Sequence, residues 1–225
     1  MTTHSAQTFL RKLSREQRRL ALSGRWFLLG YVCLTAGIYV VVDIYFYDQA
    51  MAEIWAAFLV WALGYLLLLG LMQKGGNLTG GRAGGVGTYF VLSLATGIPI
   101  ALALVVLIVP GVYLMMRWLP VFARALVVED WIGNTMRWSW NATQPYQKPL
   151  GISIMGPVAC YGVAWAAYYA FELSDFLTYE LVMIAMNVST SVGSAWLAVL
   201  GIATFALVAQ NPRVSGSVIA ATEPA

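Results

Sequence analysis

The sequence predicts an all-α integral membrane protein, on the basis of its composition, its long apolar runs and the placement of its basic residues. Of the 225 residues, 60% are hydrophobic and only 10% are charged, whereas soluble domains average about 25% charged residues. A chain this poor in charge cannot cover a surface that faces water. A helix needs about 20 mostly apolar residues to cross the hydrocarbon core, and several runs reach that length.

Five apolar runs qualify as spans, and a sixth candidate, 112–128, contains Arg117 and Arg124. We therefore predict six transmembrane helices within a membrane domain of residues 26–209. A leader, residues 1–25, precedes this domain, and a cytoplasmic tail, residues 210–225, follows it. The five clear spans are residues 26–47, 52–72, 86–109, 150–171 and 181–209.

The basic residues lie on one side of the predicted membrane. Apart from Arg117 and Arg124, every Lys and Arg falls before span one, after spans two and four, or after span six. The positive-inside rule then places both termini in the cytoplasm. If residues 112–128 did not cross, the last two spans would invert, so the charges favour a crossing or a return to the cytoplasmic side. The residues concerned are Arg11, Lys12, Arg15, Arg18, Arg19, Arg25, Lys74, Arg82, Arg137, Lys148 and Arg213.

The leader predicts an amphipathic helix with one apolar and one basic face. A basic helix with a narrow apolar face suits the surface of an anionic membrane. A solvated leader that only sets the orientation of the chain is the alternative. Nucleic-acid binding is disfavoured, because no aromatic residues interleave the charges. The apolar sector holds Phe9, Leu10, Leu13, Leu20 and Ala21, and the opposite sector holds Arg11, Lys12, Arg15, Arg18 and Arg19.

Glycine and proline predict the connections between the spans. The Pro110-Gly111 pair indicates a tight reversal between spans three and four, since proline cannot continue a helix and glycine accepts a turn. Gly156-Pro157 predicts a kink in span five. In span six, Gly193 and Gly201 offer a small-residue face for close packing, through which copies of the chain could associate.

Residues 129–149 predict a helix in the cytoplasmic interface, between spans four and five. Its polar sector contains Gly133, Asn134, Arg137 and Asn141. Tryptophans at positions 131, 138 and 140 are expected at headgroup level, where indole rings are enriched.

Arg117 and Arg124 are seven residues apart and project from nearly the same helix face. An arginine at mid-bilayer costs roughly 2.5–3.5 kcal/mol, so we expect both side chains to face the bundle interior or a wet groove. Three hypotheses stay open: pairing with tyrosines, an acid such as Asp43, or carbonyls freed by Pro120; binding of an anionic ligand such as a lipid phosphate; and gating or proton transfer. The carbonyl that Pro120 frees is expected to be that of Met116.

The stretch "PGVYLMMRWLPVFARALVVEDWIGNTMRWSWNAT" resembles the hallmark segment of the YciC-like membrane proteins. These are similar to the membrane domain that is fused to some bacterial glycerophosphoryl diester phosphodiesterases. Trp138 departs from the pattern, which usually has a second basic residue there. The resemblance implies a six-span helical domain of the bacterial inner membrane, without a catalytic domain. The matching residues are Pro110, Gly111, Tyr113, Arg117, Pro120, Glu129, Ser139, Trp140 and Thr143.

These observations predict a non-enzymatic multi-pass membrane protein that binds or handles anionic lipid or envelope components. A small-molecule or lipid transporter or channel is one alternative, and a membrane scaffold or assembly partner is another. With one histidine and no cluster of metal ligands, a metal hydrolase is disfavoured, and we expect no cofactor. The expected partners are membrane lipids and a second copy of the chain. The predicted ligand-binding residues are Arg117, Arg124, Tyr113, Glu129, Arg137 and Trp140.

Overall fold

A computed structural model describes residues 3–78, 84–173 and 178–209, and within these ranges all regular structure is helical. Arg82, Asp175 and Arg213, on which the predicted orientation partly rests, lie outside the described residues, as does the tail. In chain order the helices are α1 (Thr3–Ser23), α2 (Arg25–Tyr45), α3 (Ala50–Lys74), α4 (Val86–Val106), α5 (Ile108–Trp118), α6 (Val121–Val127), α7 (Ile132–Thr143), a 3-10 turn (Gln144–Tyr146), α8 (Gln147–Leu173) and α9 (Tyr179–Ala209).

Five helical stretches are long and apolar enough to cross a membrane. They are α2, α3, α4, α9 and the stretch Ile132–Leu173, most of which is α8. Large apolar side chains cover their outer faces; Val105, for example, is 85% exposed. Apolar surface of this extent is unfavourable in water and suits contact with lipid chains. The predicted class, an all-α membrane protein, is therefore confirmed.

The predicted fourth span is not one continuous helix. It is divided into α5, with 11 residues, and α6, with 7 residues, because Pro120 lacks a backbone N–H and its ring obstructs the preceding turn. Neither piece reaches the length that a span requires. Nevertheless α6 ends beside the start of α4: a Cβ on Gly84 would lie 2.0 Å from the Ala125 carbonyl oxygen. The two pieces together thus return the chain to the end where α4 begins.

The reversal before α5 lies at Leu107, not at Pro110-Gly111 as predicted. Leu107 is extended, with φ −155° and ψ 128°, and separates α4 from α5. Pro110 lies in the first turn of α5, where a missing N–H has no consequence. Gly111 is buried in α5, and a Cβ there would lie 2.4 Å from Leu104 Cδ2. Gly111 therefore permits the close approach of α5 to α4 and forms no turn.

The central helix is α9, which packs most extensively against α8 and α2. Its small residues permit close contacts, as predicted for span six. A Cβ on Gly201 would lie 2.6 Å from the Leu119 carbonyl oxygen at the α5–α6 break. In α8, Gly156 leaves room for the Trp196 ring of α9: a Cβ on Gly156 would lie 2.5 Å from a carbon of that ring. The small-residue face of α9 is thus used inside the chain.

The apolar face of α1 packs on protein, contrary to the expectation that it contacts a membrane surface. Leu13 and Leu20 are fully buried in the main core cluster. Phe9 stacks on Tyr146, with ring centroids 4.1 Å apart. The guanidinium of Arg19 donates a hydrogen bond to the Gly75 carbonyl at 3.0 Å. Helix α1 therefore covers the end of the bundle at which α2 begins and α3 finishes, which we call the basic end.

Candidate functional site

Both arginines of the broken segment turn into the protein, as the sequence predicted. Arg117, in the last turn of α5, is 1% exposed, and Arg124, in α6, is 6% exposed. The break at Leu119-Pro120 allows the two short helices to follow different directions. Helix α7 then packs against both of them and supplies Trp138 and Trp140, two of the side chains around the guanidinium groups.

Two aromatic rings enclose the Arg117 guanidinium. Its central carbon lies 4.4 Å from the centroid of the Trp140 ring and 5.8 Å from that of Tyr113. The two rings meet edge to face, with centroids 5.8 Å apart. A cation over an aromatic face gains about 2 kcal/mol when water is excluded. The rings therefore offset part of the cost of burying this charge.

Hydrogen bonding leaves the Arg117 side chain unsatisfied. Its Nε and Nη1 atoms are buried and have no hydrogen-bond partner among the described residues. Asp43, one of its expected partners, instead accepts a hydrogen bond from Asn187 Nδ2 at 2.6 Å. The pairing of Arg117 with Asp43 is therefore wrong. Arg117 is therefore a buried cation with free hydrogen-bond donors. No carboxylate in the described part of the chain forms an ion pair with it.

A hydroxyl group of α7 holds the break between α5 and α6. Ser139 Oγ donates to the Arg117 carbonyl at 2.8 Å, whereas Thr143 Oγ1 donates to the Ser139 carbonyl of its own helix at 2.8 Å and lies 3.3 Å from the Arg117 oxygen. The carbonyl at the break that receives a side-chain donor is that of Arg117, and its donor is the Ser139 hydroxyl. Since Ser139 is fully buried, this bond fixes α7 against the last turn of α5.

Arg124 has a different environment, which includes an acid. Its Nη2 donates to Asp130 Oδ2 at 3.2 Å, and its guanidinium lies 4.5 Å from the centroid of the Trp138 ring. The other oxygen of Asp130 accepts from the Trp131 backbone N–H at 2.8 Å and from Asn134 Nδ2 at 2.9 Å. Asp130 therefore ties α6 to the first turn of α7 and neutralises Arg124.

The structure brings together some of the predicted ligand-binding residues and separates others. Tyr113, Arg117 and Trp140 form one cluster, and Arg124 lies in the next. Glu129 and Arg137 are exposed and belong to neither cluster. Sequence reasoning missed the contributions of Asp130 and Trp138, for which no pattern is visible. It noted Ser139 and Thr143 only as part of the family resemblance, although their i, i+4 spacing indicates one helix face.

Helix α7 has the predicted polar sector, but two of its indoles do not face outward. Asn134, Arg137 and Asn141 are exposed. Trp138 and Trp140 turn inward over the two arginines, and only Trp131, 75% exposed, remains on the surface. Two of the three indoles therefore contact protein, because a buried guanidinium offers their rings a favourable contact.

Asp130 gives this region a pH dependence. Burial tends to raise the pKa of its carboxyl, but hydrogen bonds from Asn134, Arg124 and the Trp131 N–H outweigh it and hold the pKa below its ordinary value of 3.8. A depressed carboxyl pKa stabilises the fold above the ordinary value, and this contribution is lost as the pH falls through the folded value. We expect Asp130→Asn to lower stability at pH 7 by about 1 kcal/mol, as for a partly exposed pair.

Thermal unfolding of the two proteins between pH 7 and pH 3 checks this expectation. The unfolding temperature of the wild type should fall more steeply below about pH 4 than that of Asp130→Asn, so the two curves converge in acid. Glu129→Gln is the matched control, because Glu129 is exposed and its variant should follow the wild type. Parallel curves for Asp130→Asn and the wild type would contradict the assignment.

A cavity of about 270 Å³ lies among α2, α3, α4, α5, α6, α8 and α9, and Trp118 is one of its lining residues. Its lining residues include Tyr161 and Ser194, whose hydroxyl oxygens are 2.8 Å apart. Neither arginine lines this cavity. It is therefore separate from the cluster around Arg117.

The described side chains around Arg117 offer hydrogen-bond donors and no metal ligands. Within residues 3–78, 84–173 and 178–209, no three side chains among His, Cys, Asp and Glu come together to hold a metal ion. The donors in the cluster are guanidinium N–H groups, which match the oxygens of phosphate and carboxylate. No protein-family model, curated protein or solved structure matches this chain. The case for a function therefore rests on the geometry of these residues.

Proposed function

We propose that this chain is a non-enzymatic membrane protein that binds the phosphate of an anionic lipid through Arg117. The observation that carries the proposal is the unpaired guanidinium, 1% exposed, with Nε and Nη1 unbonded in the described structure. An arginine with no role would be costly to keep there, because a buried charge without a hydrogen-bonded partner is strongly unfavourable.

A phosphate group would complete the site. The planar guanidinium can donate two parallel hydrogen bonds to two phosphate oxygens, and the added negative charge would pair with a buried cation that lacks an acid among the described residues. Arg124 is already neutralised by Asp130, so we assign it a supporting role. Its positive charge and its contact with Trp138 position α7, which in turn carries Trp140.

Access to Arg117 would be through the ring of Tyr113. This residue is 38% exposed and forms the outer side of the aromatic enclosure, whereas Trp140 is held by a helix whose inner face is fully buried. Rotation of the Tyr113 side chain would open a path from the surface to the guanidinium. On the orientation that the charges predict, with both termini cytoplasmic, the headgroup would belong to the inner leaflet.

Native mass spectrometry of detergent-solubilised protein tests the proposal with one added lipid at a time. We expect the wild type to retain phosphatidylglycerol and Arg117→Gln to bind it at least tenfold more weakly. Arg117→Lys keeps the charge but loses the paired donors, and it should be intermediate. The matched control is Arg137→Gln, because Arg137 is an exposed arginine of the same region and should not affect retention.

Two further measurements distinguish a lipid phosphate from free phosphate as the ligand. Phosphatidylcholine should be retained less well than phosphatidylglycerol, and inorganic phosphate should compete only weakly, because it lacks acyl chains. Each variant is first shown to be folded by its helical circular dichroism and its unfolding temperature. If folded Arg117→Gln retains phosphatidylglycerol as the wild type does, the proposal fails and Arg117 is a structural residue.

A further inference from the structure

A second lipid site is indicated by a groove where α1 crosses α2 and α9. The groove encloses about 520 Å³, a volume within the usual range of ligand sites. Two of its walls are apolar: α2 contributes Leu29 and Val32, and α9 contributes Val192 and Trp196. Its third side comes from α1 and is polar. The groove thus has the chemistry of an amphiphile, with apolar walls and a polar rim.

The polar rim is a distinct face of α1. Ser14, Gln17 and Arg18 line the groove, and their i, i+3, i+4 spacing places them on one helix face. The core face of the same helix carries Leu13 and Leu20, both fully buried. The packing of the core face on the bundle therefore fixes the rotation of α1 and directs its neighbouring face to the groove.

Arg18 supplies a cation at this rim that no acid neutralises. It makes no ion pair within the part of the chain that the structure describes. The single acid of α1, Glu16, pairs with Arg19. The helix carries four more cations on or near its exposed side: Arg11, Lys12, Arg15 and Arg19. The electrostatic potential at the mouth of the groove therefore favours an anion.

The groove also has the right depth for a lipid of one leaflet. Arg25 begins α2, and Val32 follows it by seven residues, so the groove reaches about 10 Å below Arg25 at 1.5 Å per residue. Leu29 is 54% exposed and Trp196 is 41% exposed, so the apolar walls are open to lipid. A chain entering from the bilayer would meet apolar side chains first and Arg18 at its headgroup.

From these observations we infer that the groove binds an anionic phospholipid, with one acyl chain against α2 and α9 and the phosphate on Arg18. This site is separate from that of Arg117, which lies on α5 and lines no part of the groove. A second copy of the chain is a less suitable occupant, since the groove joins its apolar walls to an unpaired cation. Bound lipid would also fasten α1 to the bundle, so it would raise the unfolding temperature of the protein.

Native mass spectrometry of the full chain with phosphatidylglycerol, as used for Arg117, tests this inference. Arg18→Gln should bind one lipid at least tenfold more weakly, whereas Arg15→Gln, an exposed neighbour on the same helix, should not. Leu29→Trp should fill the groove and have the same effect as Arg18→Gln. Its control is Val41→Trp, at a position of α2 that is 46% exposed and lines no part of this groove.

Combining the two arginine substitutions distinguishes the two lipid sites. Arg18→Gln and Arg117→Gln should each remove one bound lipid, and the double variant should remove both. If Arg117→Gln has no effect while Arg18→Gln does, the proposed function fails and this inference stands. All of the groove variants change exposed residues, and each is confirmed as folded by circular dichroism before it is compared.

Several results would overturn the inference. One is unchanged lipid retention in folded Arg18→Gln and Leu29→Trp. Another is an equal loss in Arg15→Gln, which would show a diffuse attraction to the basic surface of α1. A third is full competition by inorganic phosphate, since the acyl chain would then contribute nothing. A fourth is a dimer in detergent that Leu29→Trp dissociates, which would identify the groove as an interface between copies.

Discussion

Trp140→Ala is expected to lower the free energy of unfolding by about 3 kcal/mol, toward the lower end of the range for deleting a large aromatic side chain. The ring is only partly buried, which limits the loss from packing. Its removal also deletes the nearest aromatic face from Arg117, 4.4 Å away, and admits water to a guanidinium that is otherwise sealed. Trp140→Phe restores an aromatic face of smaller size and should recover part of the stability.

Circular dichroism at 222 nm during heating measures this effect without relying on tryptophan fluorescence. For a chain of this size, a loss of about 3 kcal/mol lowers the unfolding temperature by about 6–12 °C. Trp131→Ala is the matched control, because this indole belongs to the same segment and is 75% exposed; its effect should stay within about 0.5 kcal/mol. Equal effects of Trp131→Ala and Trp140→Ala would contradict the aromatic enclosure of Arg117.

Leu13→Ala is the second substitution with a large expected effect, a loss of about 2–5 kcal/mol. Leu13 is fully buried in the main core cluster, although it belongs to a leader that sequence alone placed on the membrane surface. The substitution should loosen α1 from the bundle, so the loss should appear as faster proteolysis of the leader as well as a lower unfolding temperature. The exposed Leu22, at 63%, provides the control Leu22→Ala.

The same pair of variants separates the two hypotheses for α1. If the apolar face of α1 lay on lipid, Leu13→Ala would weaken binding to vesicles and leave the unfolding temperature in detergent unchanged. If the face packs on protein, the unfolding temperature falls in detergent where no bilayer is present. If detergent-solubilised Leu13→Ala unfolds at the same temperature as the wild type, the packing of α1 described above is refuted.

Sequence reasoning succeeded where one physical constraint dominates. Apolar runs long enough to cross a membrane have few alternatives to a spanning helix, and the five clear runs recur as the apolar helical stretches. The inward orientation of Arg117 and Arg124 followed from the cost of exposing a guanidinium to lipid. The amphipathic pattern of residues 5–25 identified α1 as a helix with one apolar and one basic face.

The same reasoning failed where two different environments would satisfy the same sequence pattern. An apolar helix face is satisfied equally by a membrane surface and by protein, so the pattern of α1 could not show that Leu13 is buried in the core. Pro110 and Pro120 both predict an interruption. The structure places the turn at Leu107 and leaves Pro110 inside α5, where Gly111 packs against Leu104.

By itself, the sequence determined the helical class, the approximate positions of the membrane-length runs and the burial of both arginines, because hydropathy and charge act on each segment independently of its neighbours. Tertiary structure alone decided that Asp130 and Trp138 contact Arg124 and that Trp140 of α7 lies over Arg117, whereas Tyr113 is one turn before Arg117 in α5. These contacts depend on the angle at which α7 crosses the broken segment. That angle is set by short-range packing and by the hydrogen bond of Ser139 to the Arg117 carbonyl.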